Sequence, residues 1–121
     1  MSAICPRCKQ LLSIEKLIDL GADDWSDEVT LKTFRCYACP LVGVGVYEES
    51  RRGSDARWHH FGWETSRADY DRITADIASC PSPRSKGNCA CAVHQRFTTI
   101  VNGTHAVRGS FARVGGSIDL G

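Results

Sequence analysis

The sequence predicts an α+β fold, a mainly antiparallel sheet with one main helix in a single domain over residues 1–121. Three observations predict it. Two Cys-x-x-Cys pairs, Cys5/Cys8 and Cys36/Cys39, stand either side of apolar segments. Two runs with strand alternation, residues 41–50 and 56–64, flank a polar turn at residues 51–55. One segment, residues 66 to about 80, has helical spacing with a cap before it and prolines after it.

Taken in order, residues 4–10 carry the first cysteine pair. Residues 11–20 place Leu11, Leu17 and Ile18 with Ile14 at spacings of three and four, which match a short helix; the same stretch also suits a strand leaving a metal knuckle. Residues 21–28 form an acidic turn around Trp25, and residues 29–35 a strand that delivers the second pair. In residues 41–50, Val42, Val44 and Val46 share one side and Tyr47 takes the other. Residues 56–64 return with Trp58, Phe61 and Trp63. Ser66 and Asp69 stand as a variant capping box, with Thr65 as a competing cap. Tyr70, Ile73 and Ile77 then line one helical face, and Pro81 and Pro83 stop the helix near Cys80. After a loop at residues 81–88, residues 95–101 and 104–111 flank Asn102-Gly103, a tight-hairpin signal because both residues tolerate positive φ. Residues 115–121 read as a loose tail.

Seven cysteines in 121 residues is a high and odd count. No basic region followed by an apolar stretch opens the chain, so the expected setting is the reducing cytoplasm, where dense cysteines point to metal rather than to disulfides. No apolar run reaches the roughly 18 residues that span a bilayer, and no membrane association is expected.

Cys5-Pro6-Arg7-Cys8 and Cys36-Tyr37-Ala38-Cys39 are two tight turns, each bringing two sulfurs to one point. Together they complete a tetrahedral thiolate shell for one zinc ion, with iron as the alternative that thiolates also accept. The pattern CPRC…CYAC resembles the zinc-ribbon class, in which two cysteine knuckles at strand ends share a zinc. The resemblance covers about residues 4–40. It implies the metal and the local fold, and contacts with nucleic acid or protein that are frequent in that class. The intervening residues 9–35 exceed the roughly 15–20 of common four-cysteine sites, which allows for an insertion.

Cys80, Cys89 and Cys91 remain, and His94 lies three residues beyond Cys91. These four make a second complete shell, Cys₃His, within the hairpin–helix–metal loop–hairpin region of about residues 41–114. Two zinc ions are therefore expected, and every cysteine is used. His59 and His60 are neighbours on a predicted strand, face opposite sides and do not suit one ion.

Both expected shells are filled by protein ligands, whereas a catalytic zinc keeps an open position. The deaminase, zincin, nucleophile-elbow, P-loop and Rossmann signatures are all missing from the sequence. The expectation is a non-enzyme with no small-molecule substrate. Trp58 with Arg51, Arg52 and Arg57 then marks a surface for a protein partner. Nucleic acid is the alternative, because residues 77–118 hold five bases (Arg84, Lys86, Arg96, Arg108, Arg113) and no acid. The acids Glu15, Asp19, Asp23, Asp24, Asp27 and Glu28 cluster earlier. A net charge of +1 is low for a nucleic-acid surface, and the two regions also suit each other.

Overall fold

The structure is a computed structural model that describes residues 3–22, 27–51, 57–85, 89–101 and 104–121. Trp25, Asp23, Asp24, Arg52, Lys86 and the Asn102-Gly103 turn lie outside the described residues. Four strands follow one another: β1 (Leu12–Leu20), β2 (Glu28–Cys36), β3 (Val42–Ser50) and β4 (Arg57–Glu64). Helices α1 (Arg67–Ala78) and α2 (Ala92–Thr98) come next. The short strands β5 (Ile100–Val101) and β6 (Thr104–His105), a 3₁₀ turn (Ala106–Gly109) and β7 (Val114–Asp119) complete the order. The main sheet is antiparallel throughout, in the order β1-β2-β3-β4-β7.

Four expectations are corrected. Residues 11–20 form the strand that the sequence also allowed, not the helix. Their misleading period has a cause: a bulge between Ile14 and Lys16 swaps the faces of β1. Leu12, paired with Cys36, packs with Phe34 on one face, while Ile18 and Leu20, paired with Leu31 and Val29, pack on the other. Residues 95–101 are mostly helix α2 rather than strand, because Cys91 caps the segment and Val93 and Phe97, four apart, are buried together. Residues 104–111 are largely a 3₁₀ turn, so the predicted second hairpin survives only as the two-residue pair β5–β6. The expected loose tail is β7, which hydrogen-bonds β4 with Gly62 opposite Ile118.

The helix expectation over residues 66–80 agrees with α1. Ser66 is the cap, its hydroxyl accepting the Asp69 N–H at 3.1 Å, and Tyr70, Ile73 and Ile77 are the buried residues. That face meets Ile18, Leu31, Val44 and Val46 on the sheet, joined by Phe97, Val107 and Phe111. The opposite face is only partly covered. There the Phe34 ring lies across glycines. A Cβ on Gly43 would sit 2.4 Å from Phe34 Cζ, and one on Gly62 2.6 Å from Phe34 Cε1. Leu120 fills the space over Gly45 in the same way, at 2.5 Å. Missing side chains thus let two large ones lie flat against the sheet. The layer this forms also holds Cys5, Cys36 and Leu41.

Candidate metal centres

The first cluster sits at the end of β2. The chain enters through an isolated bridge between Ile4 and Leu11. It turns tightly between them: the Cys5 N–H donates to Gln10 O at 2.7 Å, and Lys9 takes φ 65°, the left-handed conformation a knuckle turn requires. The second turn is closed by the Cys36 N–H donating to Leu41 O at 2.9 Å. The pairing of Leu12 with Cys36 brings the two turns side by side. Cys5 and Cys39 sulfurs are 3.6 Å apart, Cys8 and Cys36 3.3 Å, and all four ligand atoms lie within 4.8 Å of one another. Sulfurs at 2.3 Å from a tetrahedral centre would be about 3.8 Å apart, so the set fits one ion after shifts of at most about 1 Å. Arg7, between the two cysteines, pairs with Glu64 at 2.6 Å and ties the knuckle to the far end of β4.

The second cluster joins the two helices. Cys80 follows α1, with its N–H donating to Ile77 O at 3.1 Å. Cys91 is the N-cap of α2, and its sulfur accepts the His94 N–H at 3.4 Å. One helical turn therefore places His94 beside Cys91. The Cys80 sulfur is 3.1 Å from His94 Nδ1 and 3.6 Å from the Cys91 sulfur. Cys89 is held by its N–H donating to Ser85 Oγ at 3.2 Å, and all four ligand atoms again lie within 4.8 Å of one another. The other nitrogen of His94, Nε2, donates to the Asp19 carbonyl at 3.0 Å. That bond places the proton on Nε2 and leaves Nδ1 a free lone pair toward the sulfurs.

The electrostatics suit cation capture. In the first cluster, burial opposes ionisation of Cys36, but hydrogen bonds from Cys8 and from the Ala38 and Cys39 amides bring it down to about 7. For Cys8 the Gln10 amide pulls downward, yet the hydrogen bond with Cys36 and burial push it up to about 12. In the second, the His94 amide leads in lowering Cys91 to about 6, and burial leads in raising Cys80 to about 11. Each cluster thus has one cysteine whose pKa is lowered toward neutral pH, and metal binding to thiols releases protons.

All seven cysteines are free thiols, and each is in one of the two clusters. The structure therefore brings together both ligand sets expected from the sequence. Each cluster can hold a metal ion, and the pair fits a zinc-ribbon-like class. His59 and His60 belong to neither: His59 stacks on Phe61 and His60 meets the Tyr47 ring edge-on.

The expected partner surface is less uniform. Trp58 is 62% exposed on β4, opposite Glu49. Arg51 is occupied by Glu49 at 2.9 Å and Glu28 at 3.7 Å. Arg57 begins β4, and Arg52 lies outside the described residues. Tyr37 is another exposed aromatic, under the Arg35 guanidinium at 4.4 Å and donating its hydroxyl to Glu15. It was missed because it sits between ligand cysteines, although a large ring inside a knuckle turn is itself the signal. Among the described residues, no helix is long and apolar enough to cross a membrane. No protein-family model, curated protein or solved structure matches this chain, so its class rests on the two ligand sets and their geometry.

Proposed function

We propose that the protein is a non-catalytic zinc-binding module that recruits a protein partner, with one zinc ion in each cluster. The observation that carries this reading is that both donor sets are complete. Four protein ligands fill a tetrahedral ion and leave no position for water or substrate. The metal then acts on the fold, pinning the knuckles to β2 and the two helices to each other. The histidine in the second set favours zinc over a rubredoxin-like iron there. A reducing, cytoplasmic setting goes with this reading, since thiolate ligands persist where disulfides do not.

Exposed Trp58 and Tyr37 supply the large rings that anchor protein interfaces. Nucleic-acid binding has less support, because the bases that would drive it have acidic neighbours. Arg84 pairs with Asp19 at 2.7 Å, Arg96 with Asp76 at 2.9 Å, and Arg108 with Glu48. One of these pairs, Arg84 with Asp19, joins the basic region to the acidic one.

Metal analysis of purified protein tests the first half of the reading, with two zinc ions per chain expected. A partner retained after nuclease treatment, and lost in Trp58→Ala with both metals kept, is expected for the second half. A partner lost on nuclease treatment, or tight salt-sensitive capture of random single-stranded DNA, would replace that half by the nucleic-acid reading.

A further inference from the structure

The partly covered face of the sheet holds a cavity of about 560 Å³ at the end away from the first metal cluster. Its floor is the outward side of β2 and β3, with Thr30 opposite Tyr47 and Lys32 opposite Gly45. Leu17 and Leu120 line its sides, and Arg84 reaches in from the loop that carries the second cluster.

The hydrogen-bonding groups of this cavity are unequally committed. Its carboxylates are engaged. Asp19 takes the Thr30 hydroxyl on one oxygen at 2.8 Å and Arg84 Nε on the other at 2.7 Å. At the rim, Asp27 accepts the Arg51 N–H at 2.6 Å and Glu28 faces Arg51. Its cationic donors remain open. Among the described residues Lys32 has no ion pair, only the Tyr47 ring at 5.7 Å from its amine. Arg84 engages Asp19 through Nε and also lines the cavity.

Lys32 and Arg84 both line this cavity, and two cations together can receive negative charge. The cavity's walls beside them, Tyr47, Leu17 and Leu120, are apolar surface for the rest of a ligand. We propose that this cavity binds a small organic anion, with a carboxylate or phosphate group received by Lys32 and Arg84 and an apolar body against Tyr47, Leu17 and Leu120. Burial, with Arg84 second, lowers the Lys32 pKa against an upward pull from Asp19. The site shares no residue with either metal shell and does not include the exposed Trp58.

Calorimetry on the metal-loaded protein, with amide shifts of Lys32 and Gly45 read by NMR, tests this. The probes are benzoate, phenyl phosphate, inorganic phosphate and benzyl alcohol. Saturable binding of benzoate or phenyl phosphate is expected, and the tighter of the two identifies the anionic group. Lys32→Met should weaken that binding about tenfold or more, and Arg84→Gln about threefold or more, as for loss of a charge-assisted contact. Both variants should keep two metals. Arg84 is on the surface, so its variant tests the site even where Lys32→Met fails to fold. The proposal is overturned by no saturation with either organic anion, or by benzyl alcohol binding as tightly as benzoate. Inorganic phosphate matching phenyl phosphate, or affinities unchanged in both variants, would overturn it equally.

Discussion

His94 Nε2 donates to the main-chain carbonyl of Asp19, 75 residues away, at 3.0 Å. The Asp19 N–H in turn donates to Pro83 O at 2.6 Å. The second cluster is thereby sewn onto β1, an edge strand whose backbone groups would otherwise meet solvent. His105 repeats the arrangement one step on, its Nε2 donating to Gly21 O at 2.6 Å.

His94→Ala removes a ligand and this edge contact together. The expected result is loss of one metal ion per chain, with the first cluster still loaded. Elemental analysis checks it, and an unchanged metal content would remove His94 from the shell.

Cys36→Ser should empty the first cluster and unfold the region around β1 and the knuckles, because structural metal contributes its binding free energy to folding. Cys36 is buried in the Phe34–Leu41 layer, so the effect should reach the sheet. A fall in Tm of at least about 10 °C is expected, with 1 kcal/mol corresponding to about 4 °C in a domain of this size.

Gly43→Ala should destabilise the protein by about 1–3 kcal/mol through overpacking. Its Cβ would meet both the Phe34 ring and the Trp63 carbonyl at 2.4 Å, and the carbonyl belongs to a paired strand that cannot withdraw. Gly109→Ala is the matched control. Nothing lies within 4 Å of the added carbon, so a change under about 0.5 kcal/mol is expected in denaturant unfolding.

Thr33 is fully buried in β2, and its hydroxyl has no hydrogen-bond partner among the described residues. Thr33→Val keeps the shape and removes the unsatisfied group. The expected gain is about 0.5–1.5 kcal/mol, read from the urea midpoint, and a loss of stability would show that the hydroxyl is satisfied in solution.

His60 supplies a pH dependence. Burial first, and Lys32 second, lower its pKa to about 4. An unfolded histidine titrates near 6.5, so between about pH 6.5 and 4 the unfolded chain binds a proton that the folded chain refuses. Stability should therefore fall as the pH drops through that window. In His60→Gln this part of the slope should vanish. Parallel melting curves for both proteins, with metal content followed separately, check it.

Both ligand sets were legible in the sequence because four ligands in two short-range pairs, or a Cys-x-Cys followed by a histidine, restrict the chain locally. The α1 helix was legible for a similar reason: its cap, its apolar face and its terminating prolines all lie within one segment. Helix α2 was hidden by a neighbouring turn signal, and β7 by a run of small residues, Gly115, Gly116 and Ser117, with little strand character of its own.

Residue chemistry by itself determined which side chains can share an ion, since ligand type and turn spacing are local properties. Tertiary structure alone decided where those ions stand and what lies between them. The β1 bulge, which sends Leu12 and Ile18 to opposite faces, arises from pairing with β2 and has no one-strand signature. The meeting of Asp19 with His94, Arg84 and Thr30 likewise depends on distant segments closing on one strand edge. Such contacts follow from the packing of the whole sheet, because a backbone carbonyl accepts any suitable donor and carries no mark in the sequence of the one it will meet.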